Sequence, residues 1–192
     1  IALIAAAALS PEATTLAFDI GTGTGVIAAV LAKRGVQKIV ATDIEPRAIK
    51  CAQDNLTRLG FGQQIDVVTA NLFPPGRAAL IVCNPPWLPT PANATIERAV
   101  YDPDSAMLRA FLSGLSSHLT PGGEGWLVLS DLAEHLGLRS REELMAWVAE
   151  SGLRVLDRHD AHPTHPKSAD PSDPLFVARS KEVTSLWRLS PV

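Results

Sequence analysis

The chain has 192 residues, of which 46% are hydrophobic, 19% charged and 5% aromatic, and its formal net charge is −3. That length suits one domain with a substantial core, and the composition excludes wholesale disorder. The negative balance excludes an overall basic field that would draw the chain onto nucleic acid or anionic lipid, so any such partner must meet a local patch.

The most apolar stretch, Ile1 to Leu9, falls far short of the ~20 residues that a membrane-spanning helix needs, and nothing basic precedes it as in a secretory leader. The first residue is Ile rather than Met, so the natural polypeptide is expected to continue upstream. Short β-branched runs at Leu16 to Ile20, Lys38 to Thr42, Ile65 to Thr69, Ala79 to Cys83 and Trp126 to Ser130 predict buried strands. Between them, helical spacing predicts helices over Thr24 to Arg34 and over Pro46 to Leu59, the latter with an apolar stripe of Ile49, Ala52, Leu56 and Leu59. A third helix, about Ser105 to Leu119, is expected to stop before Pro121-Gly122-Gly123, and Ser140 with Glu143 forms a capping box for a fourth. Leu153 to Arg158 and Val183 to Leu189 add two strands. This alternation predicts an α/β domain with a doubly wound, mostly parallel sheet and an antiparallel last strand. Cys51 and Cys83 lie in apolar periodic segments and read as buried free thiols of a reducing, cytoplasmic compartment.

Two proline-containing connections, Asn84 to Asp104 and His159 to about Lys181, are longer than a compact domain needs for linkage, which marks them as functional or disordered. Ligands of a doubly wound sheet bind outside the carboxyl ends of its strands. Asp19, Asp43, Asn71, Asn84 and Asp131 each fall at such an end. Gly21, Gly23 and Gly25 follow the first strand and open the first helix, where a turn without side chains lets a ligand approach the backbone and the positive helix end. Asp43 lies about twenty residues further on, where a carboxylate accepts the hydroxyls of a ribose. The spacing is G-x-G-x-G, with Val26 where the third glycine of a dinucleotide fingerprint would stand.

Asn84-Pro85-Pro86-Trp87, directly after Ala79-Leu80-Ile81-Val82-Cys83, is the most specific signal. Together with Phe18 to Gly25 and Asp43 it resembles the class I S-adenosylmethionine-dependent methyltransferases, in particular the methyltransferase small domain group with an N/D-P-P-aromatic motif. The longer run Asn84 to Pro89 is similar to the NPPYIP run of protein-glutamine N5-methyltransferases, and the NPP-aromatic core is shared with RNA adenine and guanine N-methyltransferases. The resemblance covers about Ile4 to Arg158 and implies a single methyltransferase domain over 1–192 with the seven-stranded Rossmann-like sheet. It implies S-adenosyl-L-methionine as cofactor, cradled by Asp19, Gly21, Gly23 and Gly25, with Asp43 and Ile44 at the ribose and adenine, Asn71 and Leu72 at the adenine, and Asn84 bordering both cofactor and acceptor. The family often has Asp where Asn71 stands. The implied reaction is methyl transfer to a planar exocyclic or amide nitrogen of an RNA base or a protein glutamine, without metal and without membrane.

The residue types suit that chemistry. The lone pair of a planar NH2 is delocalised, so an acceptor side chain (Asn84) and a fixed backbone carbonyl (Pro85) stabilise charge growing on nitrogen, Pro86 stiffens the turn, and Trp87 offers a flat face for stacking. Phe73 is a second candidate, with Ile44, for the adenine face. Ser130, Asp131, Glu134 and His135 are candidates for the acceptor side, Glu97, Arg98, Tyr101 and Asp102 for a lid, and Arg158, His162, His165 and Lys167 for a mildly basic loop that contacts RNA. A non-catalytic binding module on the same fold and a nicotinamide-dependent oxidoreductase are the alternatives.

Overall fold

The computed structural model describes residues 1–89, 102–164, 170–173 and 175–192. Glu97, Arg98 and Tyr101 of the expected lid, and His165 and Lys167 of the expected basic loop, lie outside the described residues. Among those described, seven strands form one sheet in the order β3-β2-β1-β4-β5-β7-β6. They are β1 (Leu16–Ile20), β2 (Lys38–Asp43), β3 (Ile65–Thr69), β4 (Ala78–Cys83), β5 (Leu119–Ser130), β6 (Leu153–Ala161) and β7 (Thr184–Pro191). Pairing is parallel from β3 to β5, and β7 runs antiparallel to both β5 and β6. The carboxyl ends of β1 to β6 therefore share one rim.

Helices cover both faces, as a parallel sheet requires. They are α1 (Ala2–Ala6), α2 (Val26–Lys33), α3 (Pro46–Arg58), α4 (Ala106–His118), α5 (Leu132–His135), α6 (Arg141–Glu150) and α7 (Phe176–Arg179). β4, buried at every position, shows how two cores arise from one strand. Leu80 and Val82 join Ile4, Ile27, Leu31, Leu56 and Trp126 on one face, while Ile81 and Cys83 join Phe18, Ile20, Phe111, Leu112 and Leu144 on the other, the period of two that a pleated strand imposes. The apolar N-terminal stretch becomes α1, with Ile4 and Ala7 in the first core, and the Arg34 guanidinium donates to the carbonyls of Ile4 and Ala7.

Several boundaries differ from expectation, each for a physical reason. α2 starts at Val26 rather than Thr24 because its N-cap, Gly25, sits at φ 81, outside helical space. α3 ends at Arg58, leaving Leu59 at its C-cap and 57% exposed, so the stripe is Ile49, Ala52 and Leu56. Cys51 is exposed and only Cys83 is buried; residue 51 precedes the stripe position 52 by ~100° around the helix. β5 begins at Leu119 and runs through Pro121-Gly122-Gly123, read from sequence as a turn, with a register shift against β4 between Ala78 and Leu80 that accommodates the extra residues. The capping box holds: Glu143 N donates to Ser140 Oγ and Ser140 N donates to the Glu143 carboxylate. Among the described residues no helix is long and apolar enough to cross a membrane.

Gly125 of β5 lies against the buried Leu115 of α4, which leaves no room for a Cβ. Gly125→Ala should lower unfolding stability by about 1–3 kcal/mol through overpacking, whereas Gly62→Ala, where the nearest atom stands 3.8 Å from the added carbon, should stay within about 0.5 kcal/mol; urea titration of the two variants compares them.

Candidate active site

The rim is built around the turn from β1 into α2. Gly21, Gly23 and Gly25 all have positive φ, of 68°, 57° and 81°. Gly25 is also required by packing, since a Cβ there would press on Leu56 and Ala52 of α3 at 3.2 to 3.3 Å, whereas at Gly23 nothing stands within 4 Å. The backbone alone thus accounts for glycine at these positions, and Gly23 also borders open space. Gly23 N donates to Asp43 Oδ2 at 3.0 Å, and Glu45 N donates to Asp43 Oδ1 at 2.9 Å. The carboxylate closing β2 therefore fixes the glycine turn as well as standing beside it.

Asp19 is fully buried. Phe18 and Ile20 point into the α4 side of the sheet, so Asp19 points toward α2. There its Oδ2 accepts from Thr22 Oγ1 at 2.6 Å and from Ala28 N at 3.0 Å. Its Oδ1 is buried with no hydrogen-bond partner. Burial pushes the Asp19 pKa up to about 6, against the bonds from Thr22 and Ala28, and the Asp43 charge raises it further. A buried carboxylate oxygen without a donor is costly, and this one sits at the ligand-binding rim.

The strand ends on either side differ in exposure. Ile44 is 64% exposed, and Asn71 is exposed just after β3. Leu72 adopts φ 68°, a strained left-handed backbone for a side chain, and its carbonyl accepts from Thr42 Oγ1 at 2.6 Å. Phe73 does not face the rim as expected: its ring stacks on His118 and Phe111, with centroids 4.2 and 5.8 Å away, and packs against Gly114 of α4. That leaves Ile44, with the half-buried Leu72, as the apolar candidates at this edge.

After β4, Asn84 is exposed, Pro85 buried, and Pro86 and Trp87 half-buried. Trp87 packs against the core cluster under α4, and its Nε1 donates to Asn84 Oδ1 at 3.1 Å. Asp102, offered by the sequence as a lid residue, instead ties the rim together. Its N donates to Leu88 O at 2.8 Å, and its carboxylate accepts from Met107 N at 2.9 Å and Leu108 N at 3.1 Å, satisfying the open amides of α4 in place of its N-cap residue Ser105. Asp104 and Ser105, at φ 55° and 53°, carry the strained turn that makes this reach possible. α4 is thereby set so that the Met107 methyl would lie 2.6 Å from a Cβ on Gly21; a flexible thioether covers the start of the glycine turn. Burial pushes the Cys83 thiol well up, as do the negative charges of Asp19 and Asp102.

The fifth strand end is occupied by structural bonds. Asp131 Oδ1 accepts from Val183 N at 2.7 Å, joining β5 to the start of β7, while Glu134 holds Arg141 at 2.9 Å and Ser130 Oγ donates to Glu182. Arg158 lies in β6, as the strand expected over Leu153 to Arg158 has it, and β6 runs on to Ala161; Arg158 grips Asp160 with both arms, at 2.6 and 2.8 Å, and lies over Trp187. Sequence reasoning missed Arg139, 3% exposed in the turn between α5 and α6, whose Nε and Nη2 lack partners; burial lowers its pKa against the charges of Glu134 and Asp102. Among the described residues no group of three or more His, Cys, Asp or Glu side chains is arranged to hold a metal.

The profile of the methyltransferase small domain family matches residues 3–146. The chain belongs to this family. It is 36% identical over 135 residues to a release factor glutamine methyltransferase of Cereibacter sphaeroides, covering 63% of this chain and 48% of that protein. It is 29% identical over 150 residues to a tRNA1(Val) (adenine(37)-N6)-methyltransferase of Bacteroides fragilis, covering 70% and 63%. The chain thus spans about half the length of the first relative. Its fold matches that of a geranyl diphosphate methyltransferase solved in complex with SAM, at a TM-score of 0.69 and 16% identity, over 96% of this chain and 81% of that one. That neighbour holds S-adenosylmethionine, the cofactor that the sequence motifs lead one to expect. The unpartnered Asp19 Oδ1 and the open space at Gly23 fit a ligand that brings a hydrogen-bond donor and needs close backbone approach.

A carboxyl whose folded pKa lies near 6, against 3.8 for the ordinary group, takes up a proton more readily folded than unfolded. Its contribution to stability is therefore full below pH ~4 and is lost as pH rises to ~6, by about 3 kcal/mol at most. Urea stability measured from pH 4 to 7 should fall for the wild type relative to Asp19→Asn; parallel curves for the two proteins would contradict this reading of Asp19.

Proposed function

We propose that the chain transfers the methyl group of S-adenosyl-L-methionine to a planar amide or exocyclic nitrogen, with a protein glutamine as the acceptor. The observation that carries this reading is the Asn84 edge: an exposed side-chain acceptor at the end of β4, followed by two prolines and a half-buried indole, beside a glycine turn with an unfilled carboxylate oxygen.

When bound, the cofactor supplies an electrophilic methyl on a sulfonium. In this proposal Asp19 and the turn Gly21 to Gly25 hold its amino-acid end, Asp43 accepts the ribose hydroxyls with the lone pairs left over from Gly23 N and Glu45 N, and Ile44, Asn71 and Leu72 border the adenine. Asn71, carrying an amide where a carboxylate is usual, accepts without charge. Asn84 Oδ1 and the Pro85 carbonyl accept the two N–H bonds of the target NH2. That draws the nitrogen lone pair out of conjugation and stabilises the positive charge that grows there. Proline at 85 and 86 fixes φ and holds both acceptors in place, so orientation contributes more than proton abstraction. The proton released on methylation passes to solvent, since no strong base stands in the motif. Trp87 gives the flat group a surface for stacking.

The glutamine acceptor is favoured by the 36% identity to a release factor glutamine methyltransferase, the run Asn84 to Pro89, the net charge of −3 and the commitment of Arg158 to Asp160. An adenine in tRNA is the second reading, favoured by the tRNA adenine relative. Labelled methyl transfer to unmethylated release factor and to unmodified tRNA decides between them, with label on the protein expected. Asn84→Ala should reduce transfer at least 100-fold, the scale of losing an oriented donor or acceptor at a charged transition state, while leaving the dissociation constant for S-adenosylhomocysteine within about threefold. Asp43→Ala should weaken that binding at least tenfold, the scale of a lost charge-assisted hydrogen bond.

A further inference from the structure

The bond between Trp87 and Asn84 raises a question that stacking does not answer. A carboxamide has an oxygen end and a nitrogen end of nearly equal shape, and only the oxygen accepts. An exposed asparagine turns between the two orientations unless something selects one. An indole N–H only donates, so a partner 3.1 Å from Trp87 Nε1 must be the oxygen, however the amide was first placed. The indole is itself held by packing against the core cluster that contains Cys83, Ile20 and Leu108. The two intervening prolines fix the chain between residues 84 and 87.

Resting on the proposed reaction, we propose that Trp87 is a positioning residue: its indole N–H locks the Asn84 amide with the oxygen toward the acceptor site. The carbonyl oxygen has two lone pairs. One takes the indole, and the other receives the N–H of the substrate. The flipped amide would set the Asn84 NH2 against both the indole N–H and the substrate NH2, three donors with no acceptor among them. Phenylalanine in place of Trp87 keeps a ring for stacking and loses this selection.

Substitution of Asn84 by Asp separates the two roles, because a carboxylate has oxygen at both ends and needs no selection. In labelled methyl transfer to unmethylated release factor, or to unmodified tRNA if that proves the acceptor, Trp87→Phe should lower kcat roughly tenfold, with the KM for the acceptor and the affinity for S-adenosylhomocysteine within about threefold. In the Asn84→Asp background the same change should cost less than about threefold. Equal losses in the two backgrounds would mean that Trp87 acts by stacking or packing alone, and a rise in kcat on Trp87→Phe would mean that the indole blocks the acceptor; either overturns the proposal. A measurement free of any acceptor supports the kinetics: the indole N–H resonance that disappears in Trp87→Phe should shift upfield in Asn84→Ala, and an unmoved resonance would overturn the proposal too. Failure of the underlying reaction would show separately, as absence of S-adenosylhomocysteine binding or as undiminished transfer by Asn84→Ala.

Discussion

Two carboxylates of like charge stand at the ends of adjacent parallel strands, and the site depends on how their cost is offset. Asp19 is fully buried, and Asp43 stands beside it at the end of the next strand. Four donors reach three of the four carboxylate oxygens: Gly23 N to Asp43 Oδ2, Glu45 N at the N-cap of α3 to Asp43 Oδ1, and Thr22 Oγ1 and Ala28 N to Asp19 Oδ2. Asp19 Oδ1 receives nothing from the protein. A fold selected for stability alone would place a donor there or an apolar residue instead. The orphaned oxygen is the kind of local penalty that binding sites carry, relieved when a ligand supplies the missing donor.

The second half of the rim is fixed to the first through α4. Asp102 reaches past the N-cap residue to the amides of Met107 and Leu108 while its own N–H holds Leu88. The segment that carries Asn84 to Trp87 and the helix whose Met107 lies against the glycine turn are therefore joined by one residue, Asp102, through its backbone on one side and its carboxylate on the other. Met107, which would crowd any side chain at Gly21, can move without a change in backbone.

Much of this was legible in the sequence, because its strongest signals are local. A run such as Ala79 to Cys83 can bury every residue only in a covered parallel sheet, and the triplet Gly21, Gly23, Gly25 marks backbone that side chains would strain. What escaped reading depends on distant partners. Pro121-Gly122-Gly123 reads as a break after the helix, whereas it forms the irregularity between the Ala78–Leu119 and Leu80–Glu124 pairs of β4 and β5, Arg158 reads as the first cation of a basic loop until Asp160 grips it and Trp187 of β7 lies beneath it, and Phe73 reads as a rim residue until Gly114 of α4 opens space for its ring. The helices α1, α5 and α7 span one turn or little more and show no period. Arg139 and the capping role of Asp102 follow from contacts that no spacing encodes.

The most direct test is calorimetric titration of the wild-type chain with S-adenosylhomocysteine at pH 5 and pH 7.5, each in two buffers of different ionisation enthalpy. If Asp19, with a pKa of about 6 in the free protein, becomes the ionised partner of a donor on the ligand, binding at pH 5 should release close to one proton and binding at pH 7.5 almost none, with tighter binding at the higher pH. Absence of binding, or binding with no proton released at pH 5, would contradict the placement of the cofactor against Asp19.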